Sequence, residues 1–88
     1  MFNTNLEKSK AKTLIRAVIP VSNGEGIYNF GKNVIVISAN TIGGTSSLPI
    51  ASYIRSNGFN IWTFCTDNNA SGEMIIDIAY IELQYQAK

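Results

Sequence analysis

The sequence predicts an all-β protein: an antiparallel β-sandwich of about six to seven strands that follows a short polar N-terminal arm. Ile, Val and Thr, whose branched β-carbons favour extended backbone, account for 23 of the 88 residues. Runs rich in these residues alternate with clusters of Gly, Asn and Ser, which is the pattern of short strands joined by turns. A chain of this length forms one domain. We therefore assign 13–88 to a single β-sandwich domain and 1–12 to an arm or linker.

Six of these strands can be placed from the alternation of runs and turns. They are predicted over 13–21, 27–30, 34–39, 50–55, 59–65 and 73–85. The clearest turn signal is the Asn57-Gly58 pair, which is typical of a β-hairpin. Pro20 cannot donate a backbone hydrogen bond, so it should lie at a sheet edge or near a strand end. Segment 34–39 is almost continuously apolar, which predicts cover on both faces, and 40–49 is predicted to be a loop.

The last strand is apolar on both faces. A sandwich normally leaves its outer faces in water, so the second apolar face needs a cover that this short chain has no helix to provide. A homo-oligomer follows from this, and the alternative is a tightly curled monomeric barrel. The side chains assigned to the oligomer interface share one face of the strand: Met74, Ile76, Ile78 and Tyr80.

Catalysis is not expected, because the residue types that it needs are missing or too far apart. The chain has no histidine and one cysteine, which excludes Ser-His-Asp and Cys-His catalysis. Glu73 and Asp77 share a strand face but are about 13 Å apart along it, too far for a glycosidase pair. The sequence therefore predicts a non-enzymatic protein with no catalytic residues, no metal site and no cofactor.

Charge is scarce and unevenly distributed. Residues 7–16 sum to +3 and the remainder sums to −2, for a net charge of +1. A nucleic-acid-binding domain is expected to carry a basic face on its folded body, so nucleic acid is not an expected partner. No run reaches the ~18–20 apolar residues of a membrane span, and the N-terminus lacks the pattern of a secretory signal peptide.

Neutral polar residues replace charge on the expected surface, with Asn, Ser, Thr and Gln accounting for 26 positions. Aromatic rings stack on sugars, and amide and carboxylate groups bind sugar hydroxyls. One candidate ligand site therefore combines two aromatic residues with a polar turn: Tyr53, Trp62, Asp67, Asn68 and Asn69. The alternative is that Trp62 fills the core or an interface.

The order of features across 13–85 resembles a known class of domain. An apolar run at 34–39 precedes a Gly/Ser/Thr loop, the Ser56-Asn57-Gly58 turn, the aromatic strand 59–64, the polar loop 67–72 and a final strand over 75–81. This order resembles the small β-sandwich tip domains of bacteriophage tail fibres and receptor-binding proteins, and it is similar to the H-type lectin fold.

The resemblance implies a structural or adhesion module of a virion, made in the host cytoplasm and assembled as a homotrimer. Its expected partners are further copies of itself and either a host-surface glycan or other virion proteins. The alternative function is that of a stand-alone carbohydrate-binding lectin.

Overall fold

A computed structural model describes residues 12–45, 49–67 and 69–83 of the chain. These residues form six β-strands, and every neighbouring pair is antiparallel. The all-β antiparallel class predicted from the sequence is confirmed. The strands are β1 Lys12–Ser22, β2 Glu25–Asn29, β3 Val34–Gly44, β4 Ile50–Asn57, β5 Ile61–Thr66 and β6 Gly72–Glu82.

The strands form one curled sheet in the order β3-β6-β1-β2-β5-β4. A sandwich of two separate sheets is not confirmed, because β1 and β2 join the two ends of the sheet through hydrogen-bonded pairing. That pairing is confined to two residue pairs, Val21 with Gly26 and Ser22 with Glu25. We call the strands on either side of this link the first half (β3, β6 and β1) and the second half (β2, β5 and β4).

The core lies between the two halves. Its fully buried side chains come from β1, β3, β5 and β6, and half-buried Tyr28 and Tyr53 of the second half pack against them. The Phe30 ring, which follows β2, lies edge-on to that of Tyr80, with centroids 5.1 Å apart. The ring centroids of Tyr53 and Phe64 are 6.2 Å apart. Burial of these large side chains is the main stabilising contribution in so small a domain.

The β1–β2 link is a two-residue hairpin. Asn23 and Gly24 both have positive φ, at 53° and 81°, which is the type I′ geometry that matches strand twist. The hairpin predicted at Asn57-Gly58 is also present, joining β4 to β5, but its loop is longer because Asn57 pairs with Ile61.

Two predictions about β3 are wrong. The strand continues through residues 40–44, where a loop was predicted, because β-bulges between Val36 and Ser38 and between Thr41 and Gly43 keep it paired with β6. Its two faces are also not both covered. Val34 and Val36 are buried, whereas Ile35 and Ile37 are 43% and 41% exposed.

Smaller differences concern strand ends. Phe59 and Asn60, predicted to begin a strand, lie in the turn before β5. The last strand ends at Glu82, and residues 84–85 of its predicted span lie outside the described residues. Residues 1–11 of the predicted arm also lie outside them, whereas Lys12, the last residue of that arm, belongs to β1.

The free edges of the sheet, β3 and β4, approach each other without forming a ladder. The Tyr53 hydroxyl donates a hydrogen bond of 2.7 Å to the carbonyl oxygen of Ile37. At one end of the molecule the Val34 amide donates to the carbonyl of Phe59 at 3.1 Å. The curling therefore resembles the alternative of a tightly curled barrel more than two flat layers. In the described part of the chain, no helix is long and apolar enough to cross a membrane.

Candidate functional site

The two aromatic residues of the candidate glycan site lie in the core. Trp62 is 8% exposed, and its indole N–H donates a hydrogen bond of 3.0 Å to the carbonyl of Phe59. Tyr53 is half-buried, and its ring centroid lies 6.4 Å from that of Trp62. Its hydroxyl donates a hydrogen bond to the carbonyl of Ile37. The burial of Trp62 agrees with the alternative that this residue fills the core.

The polar members of that candidate site lie elsewhere. Asp67 and Asn69 are exposed in the turn after β5, and Asn68 lies outside the described residues. Trp62 and Asp67 are five positions apart along an extended strand, which corresponds to roughly 16 Å. The structure therefore does not bring the predicted aromatic and polar groups together.

The face of β6 assigned to an oligomer interface also points inward. Met74, Ile76 and Ile78 have no exposed surface, and Tyr80 is 4% exposed. These side chains pack within their own chain, and a second copy cannot reach them while the sheet stays folded. The interface predicted on this face is therefore misplaced, because the curl of the sheet puts these side chains in the core. The opposite face of β6 lies on the outside of the sheet.

That opposite surface of the first half is apolar as well. Val18 of β1 is 58% exposed and pairs with half-buried Ile75, and Ile35 of β3 pairs with Ile81. Leu14, at 72%, is the most exposed of the large apolar side chains in the described residues. We call this surface the outer apolar face, and its members are Leu14, Val18, Ile35, Ile37, Ile75 and Ile81.

One ion pair crosses the middle of the outer apolar face. Arg16 and Asp77 are directly opposite on β1 and β6, and the guanidinium donates to both carboxylate oxygens, at 2.8 and 3.2 Å. Asn40 of β3 continues the row beyond Asp77. The hydrogen bond from Arg16, with its charge, lowers the pKa of Asp77 and raises that of Arg16. The pair thus stays ionised and mutually neutralised.

A second charged pair, Lys32 with Glu82, lies at the C-terminal end of β6. Lys32 lies 5.9 Å from the centre of the Tyr80 ring and 3.4 Å from a Glu82 carboxylate oxygen. The pKa of Lys32 is raised, first by the charge interaction with Tyr80 and then by hydrogen bonding to Glu82. No group of three or more metal-ligating side chains occurs among the described residues.

Sequence reasoning did not single out the β1 side chains of this surface. Leu14, Arg16 and Val18 alternate with Ile15, Ala17 and Ile19, and both sets are mostly apolar. The available signal was Asp77, an acidic residue in an apolar stretch, since a carboxylate in such surroundings needs a basic or hydrogen-bonding partner. The structure selects Arg16. Arg55 instead places its guanidinium 4.1 Å from the centre of the Phe59 ring.

Comparisons with known proteins find no relative of this chain. No protein-family model matches the chain, and neither the curated proteins nor the solved structures contain a match.

Proposed function

We propose that this chain is a non-enzymatic structural or adhesion module that works by covering its outer apolar face with another protein surface. The single observation that carries the proposal is the exposure of branched aliphatic side chains across the first half. The partner surfaces we propose are further copies of the chain and other proteins of a virion.

The physical reason is the cost of leaving such a face in water. Isolated exposed apolar residues are ordinary, but a contiguous apolar patch on a small protein marks an interaction site. Val18 and Ile75 form one apolar row of this face, and Leu14 and Ala79 form another. The charged row between them is neutralised by its own ion pair. A partner surface therefore needs no large complementary charge.

The virion role is supported by the resemblance to phage tail-fibre tip domains and by the neutral polar composition. In this role the chain is made in the host cytoplasm and carried on the virion, where it contacts a host-surface glycan or a neighbouring virion protein. Gene neighbourhood tests it: genes for tail or capsid proteins on either side are expected, and a stretch of metabolic genes would count against it.

Self-association is tested by light scattering on the full chain across a range of concentrations. A mass that is a multiple of the 9.6 kDa chain is expected. Leu14→Lys, which places a charge on the outer apolar face, should weaken association. Ile54→Lys is the matched control, since Ile54 is 56% exposed but belongs to the second half. A monodisperse monomer at all concentrations would contradict self-association.

Carbohydrate binding by the chain alone is the second proposal, supported by the exposed carboxylate of Asp67 and the exposed amide of Asn69. A glycan array compares the natural chain with Asp67→Ala. Binding that is lost in the variant supports a glycan site at this turn, and an array without binding removes the proposal.

A further inference from the structure

Among the described residues, the side of β1 that faces β2 is an open strand edge over most of its length. In the two-residue hairpin, Ser22 and Glu25 exchange backbone hydrogen bonds, so the N–H and C=O groups of Ser22 point toward β2. Because these groups alternate sides along a strand, those of Leu14, Arg16 and Val18 point the same way. The odd-numbered residues of β1 bond to β6 instead.

Two independent observations agree with this alternation. The Leu83 amide, just after β6, donates to the carbonyl of Asn33, just before β3. The backbone groups of odd-numbered residues at that end of β6 therefore bond to β3, and those of even-numbered residues point toward β1. Pro20, which has no N–H, occupies one of the β1 positions that faces β2. A proline is tolerated where a strand lacks a neighbour, as expected for this position near the strand end.

β2 does not cover this edge. Its pairing with β1 ends after Gly26, and the strand continues along β5 in the second half. The flanking bonds from Thr66 N to Gly24 O and from Phe30 N to Asn60 O show that the even-numbered positions face β5. Within the described ranges, the outward backbone groups of Leu14, Arg16 and Val18 therefore have no strand partner.

The side chains of this edge are symmetric about Arg16. Leu14 and Val18 lie two positions to either side of it, and both are more than half exposed. The Arg16 guanidinium is directed away from the edge, toward Asp77 on β6. A shallow open depression borders Leu14, Ile15, Arg16 and Asp77. The edge thus offers donors, acceptors and apolar surface, and its charge is already neutralised.

We infer that two copies of the chain pair through antiparallel β1 edges, with a two-fold axis at Arg16. This inference rests on the self-association proposed above and names its contact. Leu14 then lies opposite Val18 of the second copy, and the reverse contact is identical, which makes the interface isologous. About six backbone hydrogen bonds form between Leu14, Arg16, Val18 and their counterparts.

A second copy fits this edge better than an unrelated strand because the edge is complementary to itself. Apolar residues meet apolar residues on both sides of the axis. The two Arg16 side chains are drawn apart by their own Asp77 partners, so the like charges do not oppose the contact. The joined sheet, β3-β6-β1 continued by β1-β6-β3, has an outer apolar face of twice the size, which is left for the other virion proteins proposed above.

The test is the dimer dissociation constant of Val18→Pro, measured with the full chain by light scattering and sedimentation. The natural chain is expected to have twice the 9.6 kDa chain mass, and not the threefold mass of the homotrimer that the resemblance implies. The proline removes the outward N–H from each copy, so two interchain bonds are lost and the dissociation constant should rise roughly 30-fold.

Hydrogen exchange keeps the test informative if Val18→Pro does not fold. The amides of Leu14, Arg16 and Val18 should become more protected as the protein concentration rises. Val18→Lys keeps the amide but places a charge opposite Leu14 of the second copy, and it should weaken the dimer at least about tenfold. The control for the charge-bearing variant Val18→Lys is Ile54→Lys, because Ile54 is 56% exposed and lies in the second half.

The outcomes separate this inference from the function on which it rests. Association that Val18→Pro and Val18→Lys leave unchanged overturns the β1 contact but retains self-association. A monomer at all concentrations overturns both. Protection of the three amides that is equally strong in dilute monomer shows that the chain covers its own edge, which also overturns the β1 contact.

Discussion

The two faces of the β1–β6 ladder carry the same kinds of side chain in opposite surroundings. On the inner face Ile19, Ile76 and Ile78 have no exposed surface. On the outer face Val18 pairs with Ile75, and Val18 is 58% exposed. Composition does not distinguish these faces. The comparison teaches that the curl of the sheet, which brings the second half against only one face, determines which aliphatic side chains are buried and stabilise the fold and which remain exposed.

The largest expected difference between the faces is in the cost of removing a side chain. Ile76→Ala leaves a cavity in the core and should lower the free energy of unfolding by about 3 kcal/mol. Ile75→Ala, one position along the same strand but on the outer face, should lower it by less than about 1 kcal/mol. Urea unfolding at low protein concentration measures both. Equal losses would show that the outer face is packed as tightly as the inner one.

Glycine substitutions test the same comparison by adding a methyl group. A β-carbon at Gly26 would lie 2.7 Å from the Ile19 side chain and 3.2 Å from Met74, so Gly26→Ala should cost about 2 kcal/mol. At Gly43 the nearest neighbour is the Ile75 side chain at 3.9 Å. Gly43→Ala should therefore cost nothing and can stabilise by up to about 1 kcal/mol. Thermal unfolding of the two variants gives the order, and a reversed order would contradict the assignment of faces.

A buried hydroxyl on the inner face offers a substitution that should raise stability instead of lowering it. Thr41 Oγ1 is buried and has no hydrogen-bond partner among the described residues. Thr41→Val replaces the hydroxyl by a methyl group of similar shape and should stabilise the fold by about 1 kcal/mol. Thr41→Ser, which keeps the hydroxyl and loses the methyl, should destabilise it. Denaturant midpoints that move in the same direction for both variants would show that the hydroxyl is satisfied.

The smallest expected effect is that of the outer ion pair, whose side chains are 65% and 41% exposed. Because Arg16 lowers the pKa of Asp77 in the folded state, the stabilisation is present above the unfolded pKa of about 3.9 and is lost as the pH falls through the folded pKa. Asp77→Asn should therefore lower the urea midpoint slightly at pH 7 and not at pH 2. A deficit that persists unchanged at pH 2 would indicate a packing effect instead.

The fold class and most strands were predictable because local signals agreed with the tertiary arrangement. The runs at 13–21 and 50–55 lie within β1 and β4, and the Asn57-Gly58 turn joins two paired strands. The end of β3 was not predictable, since Asn40 and Gly43 have low strand propensity and are held by pairing with β6. The burial of Trp62 was not predictable for a similar reason, because a strand tryptophan can be exposed or buried until Tyr53 and Phe59 are placed around it.

The sequence by itself determined that this chain is antiparallel β, that its strands alternate two apolar faces, and that charge contributes little to its surface. Strand propensity, turn chemistry and composition are local properties, so they can be read without knowing what packs against what. Only the tertiary structure decided which face became the core and that, among the described residues, β1 has an open edge over most of its side toward β2. Both depend on where β2 leaves β1, because the two-pair hairpin at Asn23-Gly24 directs the second half over one face and away from the edge.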